Sequence, residues 1–202
     1  MKFFRPLLTI FVFVLILLVV GIFAFRFFGE PKEKYTVNLS SQTVIKQIRS
    51  LNRLETSSFT IEKIIDVGTS GNTFSQFLYG DRILLIAHGT VIAGFDLAKV
   101  QESDITVTDK TLNLKMPVPE ILVTKLDNDQ TRVYDRKQGL LTKGDNNLES
   151  KARGEAEKVI KDAACKGGIL NEATKNARNQ LTTLFKSLGF VTVIIEIPQG
   201  LC

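Results

Sequence analysis

Residues 7–25, LLTIFVFVLILLVVGIFAF, are apolar except for Thr9 and Gly21. No other feature constrains the chain as strongly. Nineteen helical residues at about 1.5 Å each span roughly 28 Å, close to the hydrocarbon core of a bilayer at about 30 Å. Inside lipid the backbone must satisfy its own hydrogen bonds, so the run predicts a transmembrane helix. It exceeds the roughly 7–15 apolar residues of a cleaved signal peptide, and no A-x-A site follows it. No cysteine lies near it to carry a lipid. The expectation is an uncleaved signal-anchor behind a basic tail, residues 1–6, with the bilayer as its partner. Lys2 and Arg5 on one flank nearly balance Arg26, Lys32 and Lys34 on the other. A short basic tail ahead of a first apolar segment stays inside, which puts the rest of the chain on the extracytoplasmic side of the cell membrane.

The net charge of +5 is concentrated at this end. Lys2, Arg5 and Arg26 precede residue 30 with no acid among them, leaving 23 basic against 21 acidic residues downstream. That balance lacks the basic bias of a nucleic-acid footprint.

GEPKEK (29–34) is polar and interrupted by proline, so residues 26–39 read as a juxtamembrane linker and residues 40–202 as one domain. A helix is expected after Ser40, with Val44, Ile48 and Leu51 on one face. Near residues 56–67 the period becomes two, with Phe59, Ile61, Ile65 and Val67 on one side. GTSGN (68–72) reads as a loop. The apolar runs of 74–97 are split at Gly80-Asp81 and at His88-Gly89. The second split predicts strand, turn, strand, because histidine tolerates positive φ. Gly94 then marks a bulge or exit, and Asp96 caps the short turn after it. ITVTDKTLNLKM (105–116) predicts a hairpin, and Pro117 and Pro119 stop the strand or hold it at an edge.

Residues 148–188 read as helix. A nearly heptad seam carries Ala156, Ala163, Leu170, Ala177 and Leu184, small enough in part for close approach of a partner helix or of the domain's own sheet. Gly167-Gly168 marks a bend or a turn between two helices, and Gly189 a stop. FVTVIIEI (190–197) closes the chain as a strand. Fold class is therefore α+β: a transmembrane helix, a mostly antiparallel sheet, one long C-terminal helix that is straight or bent, and a closing strand.

Chemical motifs fail on inspection. GTVIAG (89–94) matches half of a P-loop, but Phe95-Asp96 stands where lysine and a hydroxyl residue are needed. Asp127, Asp129 and Asp135 resemble an EF-hand loop, but Arg132 occupies the glycine position and Gln138 that of the bidentate glutamate. His88 is the only histidine, and nothing in the sequence sets Cys165 beside it. Zinc spacing is absent. No catalytic residue, metal or cofactor is expected. Cys165 and Cys202 form a disulfide in an exported domain or remain buried thiols; both readings stay open.

IAHGTVIAGFDLAKV, ITVTDKTLNLKMPVPEIL, TRVYDRKQGLL and the Ala-rich helix running into LGF together resemble the bacterial family known as domain of unknown function 4230. The resemblance covers roughly residues 40–197. Its marks are His88, Gly89, Gly94, Asp96-Leu97, Pro117-x-Pro119 and Gly189-Phe190. It implies a shared fold and a single N-terminal membrane helix, and it carries no activity. At the level of fold alone, strands followed by a long Ala-rich helix are also similar to stomatin/prohibitin-like membrane scaffolds. The expected function is a non-enzymatic envelope module that binds a protein partner or self-associates, with a small-ligand sensor as the alternative. An enzyme built from Asp96, Asp127 and Asp135 ranks third.

Overall fold

Alternation with a period of two on either side of residues 69–80 builds a long antiparallel ribbon. The computed structural model describes residues 15–23, 40–69 and 71–202. The chain divides into two units, Met1–Val37 and Asn38–Cys202. In the first, residues 15–23 are helical (α1) with exposed apolar side chains. Most of the expected membrane run, 7–14 and 24–25, lies outside the described residues. No described helix is long and apolar enough to cross a membrane.

The second unit is α+β. Ser40 caps α2 (Ser41–Ser50) through the Thr43 amide, and Val44, Ile45 and Ile48 are buried. Leu51, expected on that face, is exposed, because the helix ends at Ser50 and the chain reverses at Asn52, φ 50°. β1 (Arg53–Gly68) and β2 (Asp81–Asp96) then pair antiparallel along their whole length. At about 3.3 Å per residue, sixteen residues span roughly 50 Å.

β2 corrects the expected turn at His88-Gly89. The strand runs straight through both residues, and neither has positive φ. The reason is continuity of pattern. Ile83, Leu85, Ala87, Gly89, Val91, Ala93 and Phe95 all face one buried side, and a turn would break that register. Gly89 is small for a different purpose. A Cβ there would lie 2.9 Å from Ile160 Cδ1 and 3.0 Å from the Lys125 carbonyl oxygen, so glycine lets a helix approach the sheet. Gly94 also sits inside β2, opposite Glu55 and Glu120 and beside two register shifts. Its Cβ would collide with the Leu54 carbonyl oxygen.

The other edge of β2 is covered by two strands in succession. β5 (Glu120–Leu126) pairs with Gly89–Gly94, and β6 (Arg132–Gln138) with Asp81–Ile86. Residues 127–131 arch between them at His88. The Asp127 amide donates to the His88 carbonyl (2.9 Å), and the His88 amide donates to Thr131 Oγ1 (3.2 Å).

A second, smaller sheet holds the hairpin β3 (Ile105–Thr108) and β4 (Thr111–Lys115), with Asp109 at φ 52° in the turn, and β7 (Thr192–Glu196). β7 runs parallel to β4, the one parallel pair among the described strands. Parallel pairing needs a long crossover, which the helices supply.

The long C-terminal helix is two helices. α4 (Leu148–Lys166) and α5 (Ile169–Ser187) are separated by Gly167 and by Gly168, whose φ of 79° ends helical geometry. The expected seam is corrected accordingly. Ala156, Leu170 and Ala177 are buried, but Ala163 is half-buried and Leu184 is exposed. A break resets the helical phase, so a heptad cannot continue across it. Each helix has its own face: Leu148, Ala152, Ala156, Ile160 and Ala164 on α4, then Ile169, Leu170, Ala173, Ala177, Leu181 and Phe185 on α5. These faces cover the domain's own strands.

Two hydrophobic cores result. One lies between the ribbon and α4, the other among α2, the small sheet and the far half of α5. α5 contributes Ala173 to the first and Leu181 to the second, so it ties them together. At the bulge in β1, buried Thr56 donates to the Ala173 carbonyl and accepts from Asn176 at its own carbonyl, both at 2.9 Å.

Candidate functional site

Residues 69–80 join β1 to β2 at the far end of the ribbon from α2. The sequence reading found only an apolar run from Phe74 to the split at Gly80-Asp81. The structure forms instead a short helix, α3 (Thr73–Tyr79), capped by Asn72 Oδ1 accepting from the Ser75 amide at 2.8 Å. The available signal was that cap with Phe74, Phe77 and Leu78 at helical spacing before Gly80.

α3 buries none of its residues. Phe74, Phe77 and Tyr79 are 71, 61 and 58% exposed. The chain leaving β6 lies along the helix. The Gly139, Leu140 and Leu141 amides donate to the carbonyls of Gly80 (2.7 Å), Phe77 (3.2 Å) and Leu78 (2.8 Å). Gly139 permits this approach, since its Cβ would stand 2.6 Å from the Leu78 carbonyl carbon. Leu140 and Leu141 are exposed as well. Five large apolar side chains therefore project from a hydrogen-bonded platform. Neither 71–80 nor 138–142 contains a charged residue.

Beneath the platform is an open cleft of about 640 Å³, lined by Thr69, Gln76, Phe77, Arg82, Lys137 and Leu140 among others. Its floor is anchored by Asp81, 2% exposed. That carboxylate accepts from Arg136 Nε (3.0 Å) and Nη2 (2.7 Å) and from the Asp145 amide (2.7 Å), while the Asp81 amide donates to Thr69 Oγ1 (3.1 Å). The Arg136 hydrogen bonds hold the Asp81 carboxyl below the usual carboxylate range, against the opposing effect of burial. Arg82 forms a two-pronged ion pair with Asp66 across the strands, which lowers the Asp66 carboxyl too. Lys137 is 80% exposed and reaches Asp135 only at 3.9 Å.

The residues singled out from sequence lie elsewhere. His88 sits midway along the ribbon, with Nε2 2.9 Å from Oε2 of its cross-strand partner Glu62. Gly89 and Gly94 are packing positions on β2. Asp96 caps the 3₁₀ turn Leu97–Lys99 through the Ala98 amide (3.1 Å). Pro117 and Pro119 carry the chain from the small sheet to the ribbon, with Pro119 buried. Gly189, φ 105°, ends α5 and turns Phe190 back to meet Phe185 edge-on at 6.2 Å. Cys165 and Cys202 are joined by a disulfide, pinning the C-terminal tail to the end of α4. Asp96, Asp127 and Asp135 occupy three levels of the ribbon rather than one cleft: the first opposite Arg53, the second beside His88, the third opposite Leu84. Asp127 instead holds its own arch, accepting from the Gln130 and Asp129 amides, which lowers its carboxyl. Among the described residues, no group of three or more His, Cys, Asp or Glu is placed to hold a metal ion.

A family model described as "Protein of unknown function (DUF4230)" matches residues 46–195. The chain belongs to the DUF4230 family. The matched span runs from within α2 to within β7 and so includes the ribbon, the cleft and all of both cores except Val44 and Ile45. No curated protein and no solved structure matches the chain. Membership brings no activity with it.

Proposed function

We propose that this DUF4230 protein is a single-pass, membrane-anchored binding module of the cell envelope, non-enzymatic, with its domain on the extracytoplasmic side. The carrying observation is the platform: an uncharged, backbone-knit surface with five exposed large apolar groups at the end of a rigid ribbon. Folded monomers seldom group apolar surface in this way unless something binds it. The apolar run 7–25 supplies the anchor. The Cys165–Cys202 bond favours an oxidising compartment.

A small-ligand sensor is the second reading. The cleft volume of about 640 Å³ favours it, since pockets for such ligands run to about 300–1,000 Å³. The space between ribbon and α4 is filled by fully buried Ala152, Ala156 and Ile160, so the cleft under α3 is where that ligand would sit.

Thiol trapping in intact cells tests the setting. Cells quenched in acid and alkylated should yield chain with both cysteines protected, in the carbonate-resistant membrane fraction. Fully alkylated cysteines, or extraction by carbonate, would overturn the reading.

A further inference from the structure

We infer that the platform and cleft dock onto the headgroup region of the bilayer that holds the anchor, taking an anionic phospholipid. The inference rests on the anchored reading above and names the partner of that surface.

Two observations carry it. The exposed groups are aromatic rings and leucines, with Tyr79 adding a hydroxyl at the rim. Rings with one polar end settle at the boundary between lipid tails and water. Next, the charge-free segments are bordered by cations: Arg82 and Lys137 line the cleft, and Lys143, exposed and with no ion pair among the described residues, follows 138–142 directly in the chain. Asp81 does not oppose them, since Arg136 neutralises it. Asp66 and Asp135 offset only two of the three. A phosphate at the cleft mouth would meet Arg82 and Lys137 while its acyl chains ran past Phe77 and Leu140.

The chain has no tryptophan, so a single introduced one reports its own surroundings. Full-length chain is reconstituted into phosphatidylcholine vesicles, with and without phosphatidylglycerol, carrying bromine on the acyl chains. Phe77→Trp reports the platform, and Leu141→Trp is a second reporter there if the first does not fold. Phe13→Trp reports the anchor. Val191→Trp, on an exposed residue before β7, is the control. The expected result is several-fold stronger quenching of Phe77→Trp than of Val191→Trp. It should rise with phosphatidylglycerol and fall when Arg82→Gln and Lys137→Gln are added. Quenched Phe13→Trp with Phe77→Trp and Leu141→Trp no more quenched than the control overturns the docking alone. Unquenched Phe13→Trp overturns the anchor and the docking together. Blue-shifted but unquenched Phe77→Trp emission that grows with protein density shows a second copy on the platform and overturns lipid docking. Quenching seen only when vesicles cluster assigns the surface to a facing bilayer and overturns it too.

Discussion

Gly89 is the most instructive position to perturb, because sequence and structure give it different duties. As a turn residue it would be intolerant of any side chain whatever lay across from it. As a contact residue its intolerance depends on Ile160. A methyl at Gly89 would sit 2.9 Å from Ile160 Cδ1 and 3.3 Å from Cγ2. Relaxed carbon pairs stand about 3.5–4.0 Å apart. Ile160 is fully buried in the ribbon core and has little room to retreat. Overpacking of this kind costs about 1–3 kcal/mol. Alanine lowers the entropy of the unfolded chain and returns about 0.5–1 kcal/mol. Gly89→Ala should therefore lower stability by about 1–2 kcal/mol. Ile160→Val removes Cδ1, the atom in the way, at a cost of about 0.5–1.5 kcal/mol. In the double variant the added methyl occupies space the trimmed isoleucine has left. The two costs should fall short of their sum by about 1 kcal/mol. The Lys125 carbonyl oxygen, 3.0 Å away, belongs to the backbone and keeps the relief incomplete. Urea unfolding of full-length chain in detergent, followed by far-ultraviolet circular dichroism, measures all four forms. Additivity within about 0.3 kcal/mol would refute the contact argument and return Gly89 to a backbone role.

Gly94→Ala should behave differently. The obstacle is the Leu54 backbone carbonyl, so the loss should be about 3 kcal/mol and trimming Leu122 should not rescue it; recovery in the Leu122→Ala background would contradict the geometry. Asp81 has a folded pKa below its unfolded value of about 3.9, so its stabilisation is present above about pH 4 and is lost as pH falls through the folded value. Asp81→Asn should cost about 2 kcal/mol at neutral pH, less than a fully buried pair because Arg136 is a third exposed, and should flatten the acid limb of the stability curve. Parallel acid limbs in the two forms would count against that assignment. Reduction of Cys165–Cys202, or paired serine substitution, frees a loop with a sequence separation of 37 and should lower stability by up to about 4 kcal/mol; an unchanged thermal melt under reductant would show the bond to be idle. Phe74→Ser and Phe77→Ser should each shift stability by less than about 0.5 kcal/mol, since α3 buries nothing, and a large loss would mean that the platform belongs to the core.

Local pattern determined much of this protein. Alternation in 56–67 specifies a strand that the structure extends to Arg53–Gly68. Asp109-Lys110 specifies the β3–β4 hairpin, and Gly189 the end of α5. Such features depend on neighbours in the chain, so periodicity and turn chemistry report them directly. The helical character of 148–187 was legible for the same reason, but its division at Gly168 was not, because glycine is compatible with both a bend and a stop.

Tertiary structure decided what depends on residues far apart in sequence. His88-Gly89 resembles a turn in isolation. It becomes mid-strand because Glu62, Thr131 and Ile160, from three other segments, fill the space around it. The division of labour along β2, with β5 on one half and β6 on the other, follows from the arch at His88. α3 could not be distinguished from a strand by apolar content, because a seven-residue segment is too short for periodicity to discriminate and its faces are not buried. The candidate site was hidden for that reason. Its cleft exists only where 68–82 meets 137–141, and sequence adjacency carries no information about a surface formed by backbone hydrogen bonds between segments some sixty residues apart.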